Sequence, residues 1–503
     1  MASQLFRTKS IDKLLADAEL PERRLKKTLG VWSLVALGIG AVIGTGIFIL
    51  TGTAAAGESV QYPSILKAPL LDVLLHGSEA VGAAGRPGAG PAIALSFFLV
   101  AVVCGFAALC YAELASMIPI AGSAYTYTYA TLGELVAWII GWDLILEYAV
   151  SNMAVAVGFS AYVDSLLQSF GIHLPRELIT PAYTPLDGWH LHFNVPGFVI
   201  VMLLTILLVL GVRESAGANT LMVMIKVAAI LIFVVGAAEY INPTNWRPFM
   251  PNGWQGVLTG GAIVFFTYIG FDSVSTAAEE CRNPGRDLPL GIILTLGACA
   301  VLYISVAFVL TGIQPYSTFL GEAAPVAKAL NALNLSGLQR VVTIGALTGM
   351  ISSLLVYQYG QTRIWYAMSR DGLLPKAFGR VHPKFRTPHI STWLAGFIVG
   401  IPAGVLDIGT LADLSSIGTL FAFVLVSIAV LVLRRTQPDR PRTFRAPAAW
   451  LTAPLAIVSC LFLMMGLPLE NWVRLFVWLL IGLAIYFLYS RRHSELRDSA
   501  LSR

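Results

Sequence analysis

The sequence predicts an all-α integral membrane protein of twelve transmembrane helices, built as two five-helix repeats of inverted orientation plus a C-terminal pair, with helices 1 and 6 broken. Three observations predict it. The chain has 503 residues, is 56% hydrophobic and only 12% charged, and its mean hydropathy is +0.75, outside the range of a soluble globule. Its apolar residues gather in twelve stretches apolar enough to span. Two of those stretches, five helices apart, are interrupted in mid-span. A matched pair of interruptions in corresponding positions of two halves is the sequence mark of an inverted-repeat transporter.

In chain order the stretches are residues 31–56, 92–117, 135–163, 195–210, 216–240, 257–278, 290–311, 341–369, 390–406, 411–433, 451–467 and 472–489. They divide the chain into a tail (1–30), a first repeat (31–240), a second repeat (254–435), helices 11 and 12 (450–490) and a second tail (491–503). Helix 1 carries GIGAVIGTGIF (38–48), four glycines in an apolar run. Each glycine costs about 1 kcal/mol against alanine in a helix interior, and backbone released in hydrocarbon must find partners other than lipid. The glycine spacings of two, four and two residues do not keep to one helical stripe, which argues against a simple small-residue packing face. Gly44, Thr45 and Gly46 are therefore expected to open a second half-helix whose N–H groups and dipole favour an anion such as a carboxylate.

Helix 3 contains GWDLILEYAV (141–150), with Glu147 deep in the span and Asp143 one turn earlier, nearer the cytoplasmic end and expected to be solvated. Lys226 lies about ten residues into helix 5, roughly 15 Å from its end at 1.5 Å per residue, too deep for easy snorkelling. Such an ammonium can gain and lose a proton as its surroundings open and close, or act as a fixed strut bonding unwound carbonyls. Glu147 is expected either to pair with Lys226 or to bind a proton itself. Helix 6 reads FFTYIGFDSVS (265–275), breaking at Ile269 and Gly270 and meeting Asp272, a carboxylate that needs a polar cavity. The site then lies between helices 1 and 6, with Phe266 and Tyr268 available either to close over it or to pack in the core. In helix 8, Met350 is placed to limit pocket depth if it faces the site rather than lipid or core.

With the first loop external, 25 of the 33 lysines and arginines fall on the side of the termini, 7 on the other and one inside the membrane. The positive-inside rule then puts both termini in the cytoplasm of a plasma-membrane protein. The N-terminal stretch carries Arg23, Arg24, Lys26 and Lys27 before the first helix and lacks the short apolar core of a signal peptide. The net charge of +5 mostly records cytoplasmic loops, so nucleic acid is not an expected partner. The five cysteines show neither a disulfide framework nor metal spacing, and no cofactor is expected. His173, His190 and His192 read as solvated loop residues, and residues 57–91 as a glycine-rich surface excursion.

Four segments together resemble the amino acid-polyamine-organocation transporters, in particular bacterial relatives of the cationic amino acid transporters. They are GIGAVIGTGIF, then YAELASMIPIAGSAYTY (111–127) at the end of helix 2, AEECRNPGRDLP (278–289) after helix 6, and RIWYAMSRDGLLP (363–375) with HPKFRTP (382–388) after helix 8. The likeness runs from residue 30 to about residue 445. It implies a LeuT-type fold working by alternating access. It gives Gly44, Thr45 and Gly46 to the substrate carboxylate, and the carbonyls of Val42, Ile43 and Ile269 to the ammonium. Phe266 matches the aromatic gate. Lys226 matches the lysine that, in proton-coupled relatives, stands where sodium-coupled ones bind a cation between helices 1, 5 and 8, and Ser352 and Ser353 match that site's hydroxyls. Glu113, within the helix 2 motif, is expected to anchor the cytoplasmic turn. Glu147 departs from the eukaryotic cationic transporters, whose helix 3 lacks an acid there.

Other classes lack their motifs. The chain has no Gly-Lys pair for a phosphate loop, no HExxH and no TVGYG filter. The expected function is a permease, not an enzyme, importing cationic (arginine, lysine, ornithine) or small neutral L-amino acids by proton symport, with Lys226 as coupling group and Glu147 or Asp272 as further proton sites. The alternatives are an amino acid sensor on the same scaffold, or an exchanger without proton coupling. Oligomeric state is not legible.

Overall fold

The structure is a computed structural model, described over residues 5–18, 27–59, 63–83, 85–120, 122–180, 192–211, 215–385 and 387–495. Arg23, Arg24, Lys26 and His190 lie outside the described residues. An apolar stretch in hydrocarbon can satisfy its backbone only within itself or within a closed barrel, and here the described residues fold as helices joined by turns, with three isolated bridges and no strands.

The main helices are α1a (Val31–Val42), α1b (Thr45–Ala56), α2 (Ile93–Met117), α3 (Glu134–Gln168), α4 (Val195–Leu210), α5 (Ser215–Ala237), α6 (Gly253–Val264), α7 (Pro284–Ile313), α8 (Ser336–Arg370), α9 (His389–Ala403), α10 (Ile408–Thr436), α11 (Ala449–Met465) and α12 (Leu469–Ile485). Eight of the spans they build are long and apolar enough to cross a membrane, nine if the bent pair α1a and α1b counts as one. The helices α4, α9 and α11 are apolar but shorter, with 16, 15 and 17 residues. This is a multi-pass membrane protein.

Start signals fit local chemistry. The Asn194 side chain accepts from the Gly197 N–H ahead of α4, and Asp407 accepts from the Thr410 N–H at 2.9 Å ahead of α10, each satisfying a donor that the first turn leaves free. Packing puts α7 against α2, α8 against α3 and α5, α10 against α3 and α11, and α1a against α5 and α7. The Gly253–Glu280 span is the most enclosed and the α12 span the least, so the broken elements sit at the centre and α12 at the edge.

Both predicted breaks are present. The first bends α1a from α1b by 47° at Ile43 and Gly44. In the second, α6 gives way to 3-10 turns over Phe265–Tyr268 and Phe271–Glu280, separated by Ile269 and Gly270, where Gly270 takes φ 114°. After that break the chain does not return at once to α-helix. The polar run of Asp272, Ser273, Ser275 and Thr276 instead folds as 3-10, its Ser273, Ser275 and Thr276 hydroxyls bonding carbonyls three residues back.

Two segments read as tails or excursions are packed into the body. Ile11 and Leu14 of the short helix Ile11–Ala18 are buried, and the buried Lys9 ammonium pairs with Asp371 at 2.8 Å. In the loop between α1b and α2 Arg86 is buried, donating from Nη1 to Asp413 at 2.9 Å and from Nε to Glu58 at 2.8 Å.

Candidate functional site

The break in helix 1 frees carbonyls that a continuous helix would use, and two side chains converge on them. Lys226 of α5 donates from Nζ to the Gly40 carbonyl at 2.8 Å and to the Ile43 carbonyl at 2.7 Å. From α8, the Ser353 hydroxyl reaches the same two oxygens at 2.9 and 3.1 Å. Lys226 and Ser353 are both fully buried. Room for the lysine comes from Gly349, where a Cβ would stand 2.9 Å from Lys226 Cδ. Ser352 turns elsewhere, to Asn219 Oδ1 at 2.7 Å. Met350, three residues before Ser353, is buried and so faces neither lipid nor water.

On the other side of the break, Gly44 precedes α1b without a side-chain cap, so the first N–H groups of the half-helix, from Thr45 and Gly46 onward, are left for another acceptor. The Thr45 hydroxyl is turned to the Val155 carbonyl of α3 at 3.2 Å. The two breaks touch: a Cβ on Gly46 would stand 2.9 Å from Thr267 Cα, and one on Gly270 would stand 3.1 Å from Ala41 Cβ. The Ile269 carbonyl accepts from the Tyr357 hydroxyl at 3.0 Å, and the Tyr303 hydroxyl of α7 lies between the Val42 and Thr267 carbonyls at 3.1 and 2.8 Å. Phe266 is nearly buried beside the break. Tyr268 instead donates to the Phe97 carbonyl at 3.0 Å and packs on Phe97 and Tyr303, so it is tied into the core.

The deep acids form a group of their own. Lys226 is not paired with Glu147, because the unwound carbonyls already supply its acceptors. Glu147 and Asp272 are buried within electrostatic range of each other, with Tyr111, Tyr148 and Tyr357 around both. The Ser123 hydroxyl donates to Asp272 Oδ2 at 3.5 Å, and Glu147 Oε2 has no hydrogen-bond partner. Asp143, expected to be solvated, is fully buried with neither carboxylate oxygen hydrogen-bonded; α3 starts at Glu134, and the helix Ser123–Thr131 and α10 cover this stretch. Glu113 is an anchor: it pairs with Arg434 at 2.6 Å and Arg442 at 3.2 Å and accepts from the Ala446 N–H. His173 is exposed and His192 buried, and among the described residues no group of histidine, cysteine and acid side chains could hold a metal.

Tyr303, Tyr357, Asn219 and Gly349 are the site residues that the sequence reading missed. The Tyr303 and Tyr357 hydroxyls bond backbone oxygens, which leave no mark in a sequence, and Asn219 and Gly349 meet the side chains of Ser352 and Lys226 from other helices.

A family model described as amino acid permease matches residues 29–486. The chain belongs to the amino acid permease family. Among its relatives, the branched-chain amino acid permease of Bacillus subtilis is 48% identical over 99% of this chain and all of the relative. The methylthioribose transporter of Bacillus subtilis is 43% identical over 98% of this chain and 99% of its own. The vacuolar cationic amino acid transporter 4 of Arabidopsis thaliana is 35% identical over 87% of this chain and 68% of its own. This permease is thus an amino acid-polyamine-organocation superfamily transporter and not an enzyme.

Proposed function

We propose that this permease imports free L-α-amino acids by proton symport and alternating access, on a twelve-helix LeuT-type fold with both termini in the cytoplasm. The observation that carries the reading is the Lys226 ammonium on the Gly40 and Ile43 carbonyls, joined there by Ser353. A cation at that point ties α1a, α5 and α8 together when charged and releases them when neutral. Glu147 and Asp272, buried within electrostatic range of each other, are the further proton sites.

The substrate carboxylate is received beside Gly44 by the open N–H groups of Thr45 and Gly46, and its ammonium by carbonyls at the breaks, with Phe266 as the gate. A neutral aliphatic side chain fits best with the name of the relative at 48% identity. A cationic side chain is the second reading, favoured by the buried pair Glu147 and Asp272. Thermal-shift binding of L-leucine, L-leucinamide, N-acetyl-L-leucine and L-arginine tests this. Only compounds with both backbone groups free should stabilise the protein, and L-leucine more than L-arginine. Equal stabilisation by the amide or the N-acetyl compound contradicts the zwitterion requirement.

A further inference from the structure

The carbonyls exposed at the two breaks differ in their donors. Gly40 and Ile43 share two side chains: Lys226, whose ammonium gives an N–H to each, and Ser353, whose single hydrogen lies between them. Val42 and Thr267 share one. The Tyr303 hydroxyl stands 3.1 Å from the Val42 oxygen, which also accepts from the Gly44 N–H, and 2.8 Å from the Thr267 oxygen. A phenol has a single hydrogen, so it serves one of these carbonyls well or both weakly. That hydrogen lies between the break in helix 1 and the break in helix 6, with the Cys299 thiol of the same helix also in reach.

The ring that carries the hydroxyl is held. Tyr303 is fully buried, edge-on to Tyr268 at 5.1 Å and tilted against Phe97 at 5.6 Å. Its helix, α7, follows the Phe271–Glu280 segment and packs against α1a, so one rigid element borders both breaks. The breaks also meet backbone to backbone at Gly46 and Thr267. A fixed ring, one shared hydrogen and two touching breaks make a tie with two positions.

We propose that Tyr303 is a positioning residue for transport: its hydroxyl holds the two breaks in one register so that they move as a unit, its hydrogen passing between Val42 and Thr267 as they do. The inference rests on the transporter reading. It assigns Tyr303 no contact with the coupling lysine, whose carbonyls are Gly40 and Ile43.

Tyr303→Phe removes the hydroxyl and keeps the ring. In proteoliposomes supplied with labelled L-leucine, L-arginine or L-alanine, whichever the unmodified protein takes up, the variant should lose about tenfold in maximal rate, ~1.4 kcal/mol, the worth of one hydrogen bond made better in the moving state. KM should stay within about twofold, as expected when ground-state binding is untouched. Phe97→Leu loosens the same aromatic cluster with the hydroxyl in place, and should lower the melting temperature without reproducing the loss of rate. An unchanged rate in Tyr303→Phe overturns the proposal. So does a rise in KM that accounts for the whole defect, or an equal rate loss in Phe97→Leu. Absence of uptake by the unmodified protein would instead contradict the transporter reading itself.

Discussion

Lys226 and Ser353 solve a local problem: two carbonyls freed by a break at the centre of the molecule need donors, and the ammonium supplies an N–H to each while the hydroxyl places its one hydrogen between them. The glycines around them are there for space. At Gly46 a Cβ would meet the Thr267 methyl at 2.7 Å and Thr267 Cα at 2.9 Å, and the second cannot rotate aside. Gly46→Ala should therefore force the breaks apart, abolishing uptake and lowering stability by about 1–3 kcal/mol, the usual cost of overpacking; a fully active variant would show that the breaks need not touch. At Gly349 the neighbour is the Lys226 side chain itself, 2.9 Å from Cδ. Gly349→Ala should displace the ammonium and reduce pH-driven accumulation while amino acid binding, read by thermal shift, persists. Loss of binding with retained accumulation would invert the assignment. The residue scale is also where the sequence was least legible. Lys226 was visible as a charge in an apolar run, but nothing in ACAVLYISVAF distinguishes Tyr303 from a core tyrosine, because its partners are main-chain oxygens of helices 1 and 6.

Elements were legible where composition contradicts continuity. The glycines of GIGAVIGTGIF placed the bend between α1a and α1b within a residue or two, and Ile269 and Gly270 marked the second break. Long-range partners were not legible. Asp143 looked solvated from its place in the helix, and Lys9 looked like part of a tail, because α10, which helps to cover the first, and Asp371, which pairs with the second, are distant in the sequence. The loop between α1b and α2 is the clearest case. Arg86 reaches across to Asp413 of α10, and the neighbouring Pro87 and Gly88 carbonyls accept from Thr259 of α6 and from Asn252 just ahead of it. Burial works against the charge on Arg86, but Asp413 and Glu58 more than offset it and raise its pKa, so it stays a cation across the working range. Arg86→Ala should leave Asp413 buried and unpaired and cost about 3 kcal/mol, the lower end for breaking a buried ion pair. Arg86→Lys should recover part of it, since the charge returns without the fork. A melting temperature unchanged in Arg86→Ala would mean that the loop is not pinned by this bond.

At the scale of the whole molecule, the claim is that twelve helices are threaded with both termini inside. All five cysteines are buried, so the unmodified protein should resist a membrane-impermeant maleimide. A cysteine at the exposed His173 should be labelled from outside intact cells, and one at the exposed Arg380 only after the membrane is opened. The reverse pattern would turn the molecule over and with it the direction of every helix. The central claim, that a proton on Lys226 drives amino acid uptake, is tested most directly by accumulation of labelled L-leucine, L-alanine or L-arginine in sodium-free proteoliposomes carrying an inward proton gradient. The account predicts uphill accumulation that collapses with a protonophore and is absent in Lys226→Ala, although amino acid exchange or binding survives there. Accumulation that requires sodium at constant pH, or that continues undiminished in Lys226→Ala, would contradict it and leave Lys226 as a fixed strut.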